Sequence, residues 1–213
     1  MTSEVFNTDC IEYMRTLPDK AFQLAIADPP NGIGDKFKGG KTGKMNFNEV
    51  VDKGWDNVPD QIFFDELQRV CENVIIWGGN YFPLPPSRCW IVWDKKNPED
   101  FSLAMCELAW TSFDHVAMIH RQNNFLPTKV HPTQKPVALV VRAIMACTLS
   151  GQCILDPFTG SGTTGIAANL LGRSFVGGDL DVEYLTIARN RRIEMDQSRE
   201  AWLSKLQDVK AMN

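Results

Sequence analysis

The sequence predicts an α/β domain: a mostly parallel seven-stranded sheet with one antiparallel edge strand and helices on both faces. Three observations carry that expectation. Short apolar runs alternate with amphipathic stretches along nearly all of the 213 residues. A glycine-rich turn joins an apolar strand to a helix at residues 153–171. The inferred strands are followed by Asp9, Asp28, Gly78, Asp94, Asp156 and Asp179, which places these residues along one rim, outside the carboxyl ends of the strands where ligands of such sheets gather.

The elements follow in order. Glu4–Thr8 reads as a strand and Ile11–Thr16 as a short helix. Leu24–Ala27 is an apolar strand, stopped by Asp28 and two prolines. Asn31 to about Pro59 is rich in Gly and Lys and weakly periodic; irregular stretches this long are usually functional or disordered. Pro59–Cys71 reads as an amphipathic helix leading into the strand Val74–Trp77. Strand Trp90–Trp93, helix Ser102–Trp110 and strand Val116–His120 come next, and the two strands flanking that helix are the candidates for the antiparallel edge. Arg121–Lys135 is interrupted by Asn123, Asn124, Pro127 and Pro132. Helix Pro136–Leu149, strand Cys153–Leu155, helix Gly162–Leu171, strand Ser174–Gly177 and helices Val182–Asp196 and Ser198–Lys210 complete the pattern.

Composition narrows the class. Hydrophobic residues make up 44% and charged residues 23%, as in a globular chain of one domain, residues 1–213. No run of about 18 apolar residues suggests a membrane span, and the N-terminus has neither the basic start nor the apolar core of a signal peptide. Cys10, Cys71, Cys89, Cys106, Cys147 and Cys153 are scattered without a C-x-x-C pair, so we expect reduced thiols, a cytoplasmic protein and no metal site. The net charge of −4 does not announce a nucleic-acid binder. Local field matters more than the total, however. Lys36, Lys38, Lys41 and Lys44 fall in an acid-free, glycine-rich stretch that reads either as a phosphate-contacting loop or as an ordinary solvated one.

Two motifs carry chemistry. Residues 154–164 read Ile-Leu-Asp-Pro-Phe-Thr-Gly-Ser-Gly-Thr-Thr, and a helix follows. Strand, glycine turn and helix N-terminus form a nucleotide-binding corner, with Asp156 at the strand tip. The loop has no Lys, so it is not a phosphate-cradling P-loop, and it fits G-x-G-x-x-G poorly. Asp179, about 20 residues on, ends the next strand where a carboxylate suits ribose hydroxyls. The second motif is Asp28-Pro29-Pro30-Asn31. Prolines stiffen it and leave a rigid carboxylate beside a rigid carbonyl, two acceptors suited to the two N–H donors of an amine. A solvated Asp in a proline-stiffened loop is the plainer alternative.

The glycine loop resembles the S-adenosylmethionine (SAM) loop of amino-methylating DNA methyltransferases, and Asp28-Pro-Pro-Asn31 resembles their Asp-Pro-Pro-Tyr motif. His131-Pro-Thr-Gln-Lys-Pro136 is similar to the segment before the first SAM-binding strand of the permuted, beta-class branch, and the catalytic motif precedes the SAM loop as it does there. Asn7-Thr-Asp9-Cys10 resembles the branch's Gly-Asp-Cys element, with Thr8 in place of Gly. Trp77-Gly-Gly-Asn-Tyr-Phe82, Trp90-Ile-Val-Trp-Asp-Lys95 and Glu107-Leu-Ala-Trp110 resemble small phage and mobile-element enzymes.

The resemblance implies a Rossmann-like SAM-methyltransferase domain with a catalytic half (1–130), a cofactor-loop half (131–196) and a C-terminal helix (198–211). It implies that Asp156, Phe158, Gly160, Ser161 and Gly162 shape the pocket for the methionine end of SAM, with Thr163 and Thr164 capping the helix. Asp179 would hold the ribose, Asp9 and Cys10 the adenine, and Thr133 and Lys135 would close the cleft. Asp28 and the Pro29 carbonyl would hold the amine of a flipped base, adenine N6 ahead of cytosine N4, in double-stranded DNA. Lys36, Lys38, Lys41, Lys44, Arg121 and Lys129 would contact phosphates. Only residues 96–130 remain for target recognition, which implies short or relaxed specificity; a homodimer is common in the branch.

One departure matters. Asn31 stands where the family places a base-stacking aromatic residue. Either another ring such as Tyr81, Trp55 or Phe37 serves as the platform, or the chain binds SAM without turnover, or the position has been substituted. Methylation of RNA or protein amines is a further alternative. His115, His120 and His131 lie in no nucleophile or metal pattern and read as structural. Asp94-Lys95-Lys96 reads either as the lining of the base pocket or as a solvated strand end.

Overall fold

The structure is a computed structural model. It describes residues 3–32, 41–42, 45–46, 57–98, 104–123 and 134–210, and of residues 41–42, 45–46 and 205–210 the backbone alone. The strands are β1 Ser3–Phe6, β2 Phe22–Ala27, β3 Lys41–Thr42, β4 Met45–Asn46, β5 Cys71–Trp77, β6 Trp90–Asp94, β7 Cys106–Thr111, β8 Met118–Arg121, β9 Cys153–Asp156 and β10 Ser174–Gly178. The helices are α1 Cys10–Arg15, α2 Gln61–Val70, α3 Val137–Cys147, α4 Thr163–Leu170, α5 Val182–Gln197 and α6 Arg199–Lys210. β3 and β4 form a small antiparallel ribbon inside the segment read as irregular.

Among the described residues eight strands make one sheet, in the order β1-β10-β9-β2-β5-β7-β6-β8. All are parallel except β7, which runs antiparallel to β5 on one side and β6 on the other. The expected α/β class therefore holds, with two differences. The helix expected over Ser102–Trp110 is strand β7 over Cys106–Thr111, which raises the strand count to eight. The antiparallel strand also lies within the sheet, and the parallel strand β8 forms the edge. Both differences have one cause. Cys-Glu-Leu-Ala suits a helix by propensity, but the slot between β5 and β6 offers partners on both sides, such as Ile76 with Trp110 and Ile91 with Ala109.

Period-two alternation sends side chains to both faces of the sheet. On β2, Leu24 and Ile26 join a core with Ile75, Leu139, Ile144, Ile154 and Ile166. Ala25 and Ala27 join the opposite core with Phe63, Phe64, Leu67, Val74 and Leu155. Strands covered on both faces read as continuous apolar runs, which is why they are visible in the sequence. Helices begin where Asp side chains accept backbone N–H groups: Asp9 at α1, Asp60 at α2 and Asp181 at α5. No helix among the described residues is long and apolar enough to cross a membrane.

Candidate active site at the carboxyl rim

Parallel strands bring the residues that follow them to one rim. β2 and β9 are neighbours, with Ala25 opposite Leu155, so Asp28 and Asp156 emerge side by side. Gly177 lies opposite Asp156 one strand further on, which brings Asp179 to the same edge. β7 runs the other way, so its beginning, with Glu107, reaches this rim too.

The glycine loop is tied down by the acids around it. Asp156 is 5% exposed and accepts from the Phe158 amide at 3.1 Å and from the Thr164 hydroxyl. Burial, with the charges of Asp28 and Asp179 nearby, pushes its carboxyl up to about 7. Asp179 accepts from Gly160 N and Asp181 N, both at 2.9 Å, and burial raises it as well. Gly162 begins α4 in the left-handed region at φ +76°, with Ala188 of α5 packed against it. Ser161 and Thr163 approach to 3.3 Å, and Arg191 donates to the Ser161 carbonyl and the Thr163 hydroxyl. Phe158 packs edge-on to Phe63, with ring centroids 5.3 Å apart. Asp9 uses its carboxylate to cap α1, at 2.9 Å from Ile11 N and 3.1 Å from Glu12 N. Burial, helped by Asp9, pushes the Cys10 thiol up to about 11 and keeps it neutral.

A charged ladder stands beside the loop. The Lys135 ammonium donates to Asp28 Oδ2 and lies 3.6 Å from Glu107 Oε2, and Lys95 Nζ lies 2.6 Å from Glu107 Oε1. Lys135 sits 5.1 Å from the centroid of the Trp77 ring, and Lys95 5.1 Å from that of Trp93. The two indoles meet edge to face. Burial raises the Asp28 carboxyl against the opposing pull of Lys135. Burial also works against ionised Glu107, yet Lys135 and Lys95 outweigh it and the net direction is down. Lys135 stays protonated because Asp28 and Glu107 outweigh its burial.

Asn31 and Tyr81 flank Gly78. A Cβ at Gly78 would meet Tyr81 Cδ2 at 3.4 Å and Asn31 Nδ2 at 3.5 Å, and Tyr81 is 50% exposed. Pro29 is buried, and Pro30 is half-buried.

The structure therefore gathers Asp28, Lys135, Asp156, Asp179 and the loop 158–164 at one rim. Arg121 ends β8 with its Nε 3.5 Å from Asp94 Oδ2. Lys36, Lys38, Lys44, Lys129, Thr133 and His131, with the alternative platforms Phe37 and Trp55, lie outside the described residues, and the side chain of Lys41 does as well. Of the two readings of Asp94-Lys95-Lys96, burial takes Lys95 out of solvent: it is 9% exposed. Glu107 and Arg191 were not singled out in the sequence. Glu107 was hidden by the helical reading of its segment. The signal for Arg191 is one position on α5 among three arginines, too little to find it.

Comparison with known proteins agrees with this fold. Residues 85–190 match the family model described as DNA methylase, of N6/N4 type. The chain is 27% identical to the type II methyltransferase M2.MboI of Moraxella bovis, over 90% of this chain and 88% of that one. It is 25% identical to the type II methyltransferase M.HinfI of Haemophilus influenzae, over 90% and 68%. Its fold is similar to that of M1.HpyAVI solved as a SAM complex, with a TM-score of 0.59 and 21% identity over 89% of this chain and 98% of that one. The chain belongs to the DNA methylase family.

Proposed function

We propose that the chain transfers the methyl group of SAM to an exocyclic amine of a base turned out of duplex DNA, adenine N6 first, within a short recognition sequence. One observation carries the reading: a proline-stiffened carboxylate, Asp28, emerges beside the glycine loop because β2 and β9 are neighbours. The rim also fits the cofactor electrostatically. Asp28 and Asp179 raise the cost of ionising Asp156, so a cation docked beside these acids is favoured. SAM, with its sulfonium and ammonium, is such a cation, and when bound it supplies an electrophilic methyl group.

In this reading Phe158, Gly160, Ser161, Gly162, Thr163 and Thr164 shape the methionine end of the pocket. Asp179 holds the ribose, and Asp9 and Cys10 face the adenine. Asp28 and the Pro29 carbonyl orient the amine, and positioning of this kind supplies much of the rate in a displacement reaction. The carboxylate offsets the positive charge that develops on nitrogen. The lysines of 36–44, with Arg121 and Lys129, contact phosphates.

Asn31 favours a second reading, SAM binding with little turnover, because an amide gives up most of the stacking of an aromatic ring. That stacking is worth about 1–3 kcal/mol per base, or roughly 5- to 150-fold. Methyl transfer from radiolabelled SAM to unmethylated duplex DNA, measured for the chain and for Asn31→Tyr, separates the two. Transfer by both, faster for the Tyr variant by about that factor, is expected. Transfer by the Tyr variant alone supports the second reading. SAM binding without transfer to DNA by either protein overturns the DNA reading, and RNA and protein amines become the substrates to test.

A further inference from the structure

We propose that Glu107 is a positioning residue of the amine site, a second anchor that shares the Lys135 ammonium with Asp28. The inference rests on the role assigned to Asp28 above.

Charges alternate along the ladder: Asp28, Lys135, Glu107, Lys95. Lys135 is 8% exposed and has three N–H donors but two carboxylate partners, one in contact and the other 3.6 Å away. The anchors are unequal. Lys95 holds Glu107 from its far side at 2.6 Å, so Glu107 is the fixed anion. Asp28 meets Lys135 through Oδ2, its side chain is 36% exposed, and it is the acid poised to change. Two neighbouring acids driven in opposite directions mark different tasks. The tryptophan pair under the ammonium groups makes the track rigid.

The arrangement answers a specific problem. When an amine N–H proton passes to the Asp28 carboxylate, Asp28 becomes neutral and Lys135 loses its partner. A buried cation left alone is strongly unfavourable. Glu107 removes that difficulty: Lys135 turns toward Oε2, 3.6 Å away, while Asp28 holds the proton, and returns when the proton leaves for solvent. Without the Glu107 charge, Lys135 has Asp28 as its one remaining anion among the described residues, clamps it and competes with the amine. Among the described residues, the charged groups facing Asp28 are Lys135, Glu107, Lys95 and, across the strand pair, Asp156.

The test reads Asp28 directly. The carboxyl 13C shift of Asp28 is followed against pH in the full chain without substrate, for the parent, Glu107→Gln and Lys135→Met. The Asp28 titration is expected to move to lower pH in Glu107→Gln and to higher pH in Lys135→Met. In DNA methylation assays Glu107→Gln is expected to lower kcat and move its acid limb down, with KM for SAM unchanged. Glu107→Asp should recover part of the loss. An Asp28 titration unmoved by Glu107→Gln overturns the proposal, whatever the activity. The expected titration shifts in a parent chain that methylates no DNA would leave the ladder standing and overturn the substrate reading instead. Circular dichroism melting of each variant identifies one that fails to fold; in that event Glu107→Asp carries the titration test.

Discussion

Replacing Asp156 by Asn should make the folded chain more stable while weakening cofactor binding. Asp156 is 5% exposed, and its carboxyl is raised from 3.8 to about 7, chiefly by burial. Below pH 4 the side chain is neutral in both the folded and unfolded states. Between about 4 and 7 the unfolded chain gives up its proton while the folded chain keeps it, so stability falls as pH rises. Above 7 the loss levels off at roughly 4 kcal/mol. Asn is neutral throughout. Its amide oxygen can still accept from Phe158 N, and its NH₂ can face the Thr164 hydroxyl, which donates or accepts by rotation. The stability gap between Asn variant and parent should therefore widen by roughly 3 kcal/mol between pH 5 and pH 8. For a chain of this size that corresponds to about 6–12 °C in Tm. Urea denaturation at the two pH values measures the gap, and calorimetry with SAM measures the binding. A gap that stays constant with pH, or a variant less stable than the parent at pH 8, would refute the reasoning.

Two further substitutions probe the loop and the platform. Gly162→Ala puts a Cβ 2.8 Å from Ala188 Cβ and 3.0 Å from its Cα, in a left-handed conformation. Backbone strain and overpacking together should cost about 2–5 kcal/mol in urea denaturation, and a cost under about 1 kcal/mol would mean that α5 yields. Tyr81→Ala removes a half-exposed ring beside Asn31. If that ring stacks on the target base, kcat/KM for DNA should fall about 5- to 150-fold with SAM affinity unchanged; an unaltered kcat/KM would leave Asn31 without a substitute.

The elements legible in the sequence were those whose environment is uniform. The later parts of β2 and β5, Leu24–Ala27 and Val74–Trp77, are buried or nearly so on both faces, as are Ile154 and Leu155 of β9, so each shows as an unbroken apolar run followed by Asp or Gly. The glycine loop was legible because Gly162 needs a positive φ and close packing that few residues tolerate. β7 was not legible, because its strand character comes from two neighbours far away in sequence. The error propagated to the site. Once 102–110 was read as a helix, Glu107 had no reason to face the rim, and Lys135 was expected to close the cofactor cleft without a link to Asp28. A salt bridge spanning 107 residues of sequence leaves no local mark.

The order of the two motifs along the chain changes nothing at the rim, for a physical reason. Position along the rim depends on strand order in the sheet, not on order in the chain. Asp28 and Asp156 are far apart in sequence and adjacent in space because Ala25 pairs with Leu155. Parallel pairing also delivers every acid with the same polarity, at the end where the following backbone is free to turn around a ligand. The antiparallel strand extends this logic. Reversing one strand brings the start of β7, and not its end, to the rim, so the residue contributed is Glu107 from the beginning of the strand. With the lysines that follow β6 and precede α3, the result is a neutral row of paired charges at the edge of an acidic recess. The recess can then hold a cation while the row governs the charge of Asp28. Those two tasks need an acidic recess beside a charge-balanced row, and a sheet in which one strand runs backward provides both.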